Sequence, residues 1–227
     1  GIAFAFDPEA YLISSSKAKS NRLFDRIGVP IPRPWPECGY PVVAKPSFGS
    51  GSREVMIFQD AGSAPPHIIE SDGDWVLQEY VQGPSYSLEV IGRPGRYTPL
   101  KVTDLAMDSG YDCKRVIAPT DLPETLVSEF ERISTSIAEE LKLKGLMDIE
   151  VVLHNNTLKV LEIDARLPSQ TPTVVYWSTG LNMIEVLAAL FFEGMEKSPP
   201  DSAPPKGAVY EHIRVSSNSL EVAGEHI

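Results

Sequence analysis

Residues 147–166 read MDIEVVLHNNTLKVLEIDAR, two alternating stretches joined at Asn155-Asn156-Thr157. In an extended chain, successive side chains point to opposite faces. On the first stretch Ile149, Val151 and Leu153 share one face, and Asp148 and Glu150 share the other. On the second, Leu161, Ile163 and Ala165 go together, as do Glu162 and Asp164. Burying both apolar sets in one core dictates the pairing parity, because a one-residue slip would turn the acids inward. A three-residue connection, Asn155 to Thr157, satisfies that parity, and asparagine tolerates the left-handed backbone such loops need. The predicted hairpin sets Glu150 opposite Glu162 and Asp148 opposite Asp164. Four carboxylates on one strand face repel one another. A divalent cation among them relieves the repulsion, and oxygen ligands grouped around phosphates suit Mg²⁺. Arg166, two residues past Asp164 and on the same face, can grip a phosphate or a developing oxyanion with its planar fork. The competing reading is an exposed acidic strand face without a ligand; two facing pairs and an arginine weigh against it.

Working outward, Ser14-Ser15-Ser16 precede KAKSNRLFDRIG. Ser14 is the expected helix N-cap, Leu23, Phe24 and Ile27 form the apolar stripe, and Gly28 sits where a C-cap belongs. VPIPRPWPECGYP (29–41) is too proline-rich for helix. Short β-type runs follow at VVAK (42–45) and EVMIF (54–58), separated by the loop PSFGSGSR, then at 75–80, 86–92 and 98–106. Thr120 or Asp121 is the expected cap of an amphipathic helix from Pro123 to about Leu143, with Val127, Phe130, Ile133, Ile137 and Leu141 on its stripe. A last helix is expected from Asn182 to Phe192. Strands arrive in hairpins rather than βαβ units, so the fold class is α+β. The expected division is a linker from a missing N-terminal domain at 1–12, a lid subdomain at 13–82, and a core with the acidic hairpin at 83–196. A Pro-rich linker and partial C-terminal extension fill 197–227.

The chain of 227 residues carries 20 Lys+Arg against 31 Asp+Glu, a formal charge of -11. That balance argues against a nucleic-acid surface, which needs a basic face to displace counterions, but not against a nucleotide cleft, which needs only a few cations. Apolar residues make up 42%, enough for a packed core. The longest apolar runs, such as 186–192, are too short to span a bilayer, and no signal peptide is read. Two cysteines, Cys38 and Cys113, do not make a disulfide framework, and a reducing cytoplasm is the expected location. The chain begins with Gly rather than Met and reads as a piece of a longer protein.

An acid, twelve residues, an acid, then Asp164 and Arg166 on one hairpin resembles the metal end of the ATP-grasp ligases. Other parts lie in the family's order: Lys17 ahead of RIGVPIP, Lys45 ending a strand before a glycine-serine loop, and Gln78-Glu79-Tyr80-Val81 with Gly83 as an adenine hinge. Within the family, YVQGPSYSLEVIG, GYDCKRVIAPTDLPE and the stretch LKGLMDIEVVLHNNTLKVLEIDARLPSQTPTVVYWSTGLNMIE are similar to the ligases of pyrrolysine biosynthesis. The resemblance implies an ATP-grasp fold, two antiparallel-sheet subdomains with nucleotide between them. It implies ATP and Mg²⁺ as cofactors, amino acids as substrates, and neither nucleic acid nor membrane as partner. Oligomeric state is left open, a homodimer being one arrangement.

The resemblance extends to single residues. Lys17 and Lys45 meet the phosphates, with the backbone of Gly49, Ser50 and Gly51 beside them. Gln78, Glu79, Tyr80 and Val81 meet the adenine between Val43 and Leu161. Glu150, Glu162 and Asp164 hold metal; Arg166, Glu150 and Glu162 are catalytic. Ser85, Glu89, Asp148, Arg166, Ser169, Gln170 and Thr171 contact substrate, with Asp112 and Arg115 as further charged candidates. The segment between Lys17 and Gln78 is the expected mobile lid. The implied reaction is amide formation through an acyl phosphate, joining the carboxylate of 3-methyl-D-ornithine to the side-chain amine of L-lysine. Asp148 or Asp164 is a candidate acceptor for the amine's proton. Two alternatives stay open: an ATP-grasp ligase for another amino acid or dipeptide, and a non-catalytic nucleotide-binding fragment. Cys113 is not expected to act as a nucleophile, His154 is expected to be solvated at the hairpin tip, and Tyr176 and Trp177 are core or pocket wall.

Overall fold

A computed structural model describes residues 5–49, 51–70, 73–192 and 205–225. Two antiparallel sheets organise them. The smaller has strands β1 (Val42–Pro46), β2 (Met56–Phe58) and β3 (Trp75–Glu79) in the order β2-β1-β3, with the one-turn helix α3 (Pro66–Ile69) against it. The larger comprises β4 (Ser85–Arg93), β5 (Arg96–Met107), β6 (Cys113–Ala118), β7 (Gly145–His154), β8 (Thr157–Asp164), β9 (Ala208–Val215) and β10 (Leu220–Ala223), in the order β10-β9-β6-β5-β4-β7-β8. The α+β expectation holds.

Three helices cover one face of the larger sheet: α1 (Pro8–Ser14), α2 (Lys17–Ile27) and α4 (Glu124–Leu141). Phe130, Ile133 and Ile137 on α4 are fully buried against Leu88, Ile149, Val151 and Val160. The expected stripe therefore meets the expected apolar face of the hairpin. Helices α5 (Thr171–Thr179) and α6 (Met183–Phe191) pack beside β5, β6 and β7 in a second cluster around Val116, Val174, Val175 and Met183. Among the described residues, no single helix is long and apolar enough to cross a membrane.

Several expectations need correction. Residues 8–14 are not linker: Asp7 caps α1 by accepting from the N–H groups of Glu9 and Ala10, and Ala10 is buried in the main core. The N-cap of α2 is Ser16, whose hydroxyl accepts from the Lys19 N–H, while Ser14 ends α1 and accepts from the Ala165 N–H at 3.0 Å. Neither Thr120 nor Asp121 caps α4, which starts after Pro123 without a side-chain cap; the Thr120 hydroxyl binds Asp104 instead. Helix α5 occupies a stretch to which the sequence reading assigns no element. The last strand pair exists and extends the larger sheet, whereas most of SPPDSAPP lies outside the described residues.

The acidic hairpin forms with the facing pairs expected, by a different route. Asp148 pairs with Asp164 and Glu150 with Glu162, but the turn has two residues, Asn155 and Asn156, both at positive φ (49° and 61°). A β-bulge between Glu150 and Val151 restores the register, since Val151 faces Val160 and Leu161 is left over. Leu161 thus leaves the apolar set to which alternation assigned it and lines a cleft between the two sheets.

Candidate active site

The cleft has a volume of about 400 Å³, within the range of small-molecule sites. Its walls are Val43 and Lys45 of β1, the loop around Gly49 and Gly51, the stretch from Gln78 to Gly83, and Glu150, Leu161 and Glu162 of the hairpin. Most of the residues assigned to nucleotide therefore converge although they lie far apart in sequence.

Two lysines sit at its inner end. Lys17 is the first residue of α2, held there by its own N–H donating to the Ser47 carbonyl at 2.8 Å and by the Ser16–Ser47 hydroxyl contact at 3.0 Å. Its ammonium donates to the Gly49 carbonyl at 2.7 Å and pairs with Glu162 at 3.1 Å. Lys45 is buried, and its ammonium donates at 3.3 Å to the Leu161 carbonyl, a group made available by the bulge. Burial lowers the Lys45 pKa; Glu162 and Glu150 oppose that shift, and Lys17 adds to it. Opposite them, burial pushes the Glu150 carboxyl up to about 8, aided by Asp148 and Glu162 and opposed by the two lysines. Two cations and two carboxylates in one desolvated pocket form a frame in which phosphate oxygens and a divalent ion complete the charge balance.

At the other end lies the hinge. The Glu79 N–H donates to the Arg33 carbonyl at 2.8 Å and the Tyr80 N–H to the Pro41 carbonyl at 3.2 Å; among the described residues Val81 N–H has no protein acceptor. The Glu79 side chain is not idle. It accepts from Lys159 of β8 at 2.5 Å and from Arg33 at 3.3 Å. Burial would raise its pKa, but these bonds outweigh it and hold the carboxyl at about 2. Gln78 is buried and accepts from Asn21 at 3.3 Å. Gly83 is required by close approach: a Cβ there would overlap the Leu153 carbonyl oxygen.

Beyond the cleft, two rows of polar residues cross the larger sheet. Ser87, Glu150 and Glu162 are opposite one another on β4, β7 and β8, and so are Glu89, Asp148 and Asp164. Glu89 is fully buried; the Thr171 hydroxyl bears on it, but no hydrogen bond of ordinary geometry reaches either carboxylate oxygen. Burial and then Asp148 push it up to about 8. Asp148, bonded by the Ser87 hydroxyl, is raised to about 6, chiefly by burial. Asp164 pairs with Arg166 at 2.7 Å.

Some assigned residues lie elsewhere. Among the described residues no three His, Cys, Asp or Glu side chains converge to hold a metal, and Asp164 is paired with Arg166. Ser169 and Gln170 bond Glu225, at 2.8 and 2.7 Å. Thr171 is buried, and its hydroxyl bears on Glu89. Ser85 lines the cleft. Ser50 is outside the described residues. Arg115 pairs with Glu211. Cys113 is pushed up to about 12, first by burial and then by Glu150, which suits an inert thiol. His154 is not merely solvated, since its ring bonds the Gln82 carbonyl at 2.8 Å. Tyr176 and Trp177 are exposed rather than core, and neither lines the cleft. The sequence reading missed Met107 at the end of β5 and Asp108 and Tyr111 in the β5–β6 turn, which wall the cleft. Tyr111 meets the Tyr80 hydroxyl at 2.7 Å and accepts from Ser52 at its carbonyl at 2.6 Å. Asp108 organises that turn, its carboxylate accepting from the Gly110 and Asp112 N–H groups.

Residues 14–170 match the ATP-grasp domain family, more than half of the chain. The chain belongs to that family. It is 40% identical over 225 residues to a 3-methyl-D-ornithine--L-lysine ligase from Methanosarcina acetivorans, covering 98% of this chain and 58% of that protein. The chain thus spans less than two thirds of that relative's length. Among solved structures, biotin carboxylase from Campylobacter jejuni in complex with β,γ-ATP superposes with a TM-score of 0.77 at 20% identity, over 93% of this chain and 54% of that one. The biotin carboxylase domain of 2-oxoglutarate carboxylase from Hydrogenobacter thermophilus, in complex with MgADP, superposes with a TM-score of 0.76 at 20% identity, over 94% and 53%. Both likenesses establish the ATP-grasp fold.

Proposed function

We propose that this chain carries the catalytic core of an ATP-dependent carboxylate–amine ligase, joining the carboxylate of 3-methyl-D-ornithine to the side-chain amine of L-lysine. The observation carrying this reading is the pair of parallel rows. Glu150 and Glu162 stand beside two lysines at the nucleotide cleft, and the next row, one strand repeat away, ends in buried Glu89. One row suits phosphates and the other suits ammonium groups, as ATP and a diamino acid in contact require. Similarity to the methanosarcinal ligase adds support.

ATP enters with its adenine between Val43 and Leu161, its edge against Val81, and its phosphates toward Lys17, Lys45 and the loop of Gly49, Ser50 and Gly51. Glu150 and Glu162 fit a Mg²⁺ ion, two carboxylates being the usual protein share for an ion that keeps phosphate and water ligands. When bound, that ion neutralises charge building on the phosphates. The substrate carboxylate attacks the γ-phosphorus, giving an acyl phosphate and ADP. Arg166, steadied by Asp164, holds that carboxylate and later the tetrahedral oxyanion. Glu89 and Asp148 take the ammonium groups, and a neutral lysine side-chain amine then attacks the acyl carbon, with phosphate leaving. Asp148, raised to about 6, can accept the amine's proton. Closure of the smaller sheet keeps water from the intermediate.

ADP release measured with pairs of amino acids tests the reading. D-ornithine or 3-methyl-D-ornithine with L-lysine should give the highest turnover, each amino acid alone little. Better turnover with an unrelated pair would reassign the substrate. Nucleotide binding without turnover for any pair would leave a binding module.

A further inference from the structure

Glu225 lies past the end of β10, outside the stretch that matches the family, yet it reaches back to the strand-to-helix loop that carries Arg166. Its carboxylate accepts from the Ser169 hydroxyl at 2.8 Å and from the Gln170 side-chain amide at 2.7 Å, one oxygen to each. Its backbone N–H donates to the Cys113 carbonyl at 3.2 Å, so the segment is fastened to β6 as well. The preceding residue must be small: Gly224 is buried against Asp112, and a Cβ there would overlap the Asp112 side chain. A glycine at that close approach lets the chain pass and delivers the next carboxylate to the loop.

The loop is short and has few other anchors. At its start the Ala165 N–H donates to Ser14 and the Arg166 N–H to the Asp164 carbonyl. Arg166 itself is half-exposed, paired with Asp164. At the far end Gln170 precedes α5 without capping it by its side chain, and Thr171, the first residue of α5, lies against Glu89. Glu225 therefore fastens the end of the loop between Arg166 and the acidic row.

We infer that Glu225 is a positioning residue, which holds the Arg166–Gln170 loop in register so that Arg166 and Thr171 face the amino-acid substrate together. This rests on the substrate reading above for its kinetic consequence but not for its structural one. Charge-assisted bonds are about twice as strong as neutral ones, so losing this clasp corresponds to about a tenfold effect or more.

The test uses Glu225→Ala and Glu225→Gln in the whole chain, with Glu221→Ala on the neighbouring exposed strand as control. Hydrogen exchange followed by mass spectrometry should show residues 166–172 exchanging about tenfold faster in Glu225→Ala, with residues 42–46 and 75–79 unchanged. Glu225→Gln, able to pair amide with amide, should fall between. In steady state, KM for the acid whose carboxylate reacts should rise about tenfold while KM for ATP stays within twofold. Unchanged exchange at 166–172 overturns the proposal outright. An equal rise in both KM values overturns it too, because a general loss of packing would act on both. If the unaltered protein shows no turnover with any pair, the substrate reading fails, and exchange alone decides the clasp.

Discussion

Replacing Glu89 by glutamine should make the protein more stable and less able to bind its substrate, two effects of opposite sign from one change. Glu89 is fully buried with no hydrogen bond of ordinary geometry to either oxygen, and its carboxyl is pushed up to about 8, first by burial and then by Asp148. In the unfolded chain a glutamate ionises near 4.3. A carboxyl with a raised folded pKa favours the fold fully below the unfolded value, and that contribution is lost as pH rises toward 8. At pH 7 the cost is about 2.7 pKa units, the gap from 4.3 to 7, on the order of 3 kcal/mol. An imperfectly bonded glutamine amide returns about 1 kcal/mol of that. The net gain for Glu89→Gln is then about 2 kcal/mol, or roughly 4–8 °C in Tm for a chain of this size. Thermal unfolding of apo protein at pH 7.5 and again at pH 4.5 checks it. The gain should be present at the higher pH and nearly vanish at the lower, where Glu89 is protonated in the fold and only about half ionised in the unfolded chain. A diamino acid should raise the Tm of the parent protein and not of the variant. An equal or lower Tm for Glu89→Gln at pH 7.5, or a difference independent of pH, would refute the reasoning.

Arg166→Ala should reduce turnover by at least a hundredfold while ADP affinity, measured by calorimetry, stays within twofold, because Arg166 does not line the nucleotide cleft. Glu79→Gln should cost roughly 2–3 kcal/mol at pH 7, since the Lys159 and Arg33 bonds hold this carboxyl at about 2; that stability is present above about pH 4.5 and is lost as pH falls toward 2. Urea midpoints for parent and variant should therefore converge as pH falls through that window, and parallel curves would refute the assignment. Gly83→Ala should destabilise by more than about 2 kcal/mol in urea unfolding, because the Cβ meets the Leu153 backbone rather than a side chain that can turn away.

Much of the fold was legible because its decisive stretch is strictly alternating. Ile149, Ile163 and Ala165 had to share a core, and α4 offered Phe130, Ile133 and Ile137 to cover it. What alternation does not reveal is a bulge. A two-residue Asn-Asn turn and an extra Leu161 produce the same facing acids as a three-residue turn without a bulge. The difference appears only at Leu161, whose side chain goes to the cleft and whose carbonyl goes to Lys45. Helix α5 was illegible for another reason. Val174, Val175, Tyr176 and Trp177 favour strand locally, and only packing on β6 and β9 with Gly180 as a left-handed cap makes the segment helical. Ser14 was mistaken for the cap of α2 because either serine fits the pattern, and α1 before it has an apolar face only when the sheet is there to receive it.

The site shows how far a charge argument from one hairpin can reach. Four carboxylates on one face did demand compensation, but the two pairs receive it differently. Glu162 takes Lys17, Glu150 lies near Lys45, and these two acids remain at the cleft where an ion can join them. Asp164 takes Arg166 with one oxygen and leaves the other without a partner, and Asp148 takes the Ser87 hydroxyl. The row continues one strand further, to buried Glu89 on β4, which the hairpin alone could not implicate. In the proposed reading Glu89 receives a substrate ammonium group, whose arrival would favour the ionised form of a carboxyl that burial otherwise keeps protonated.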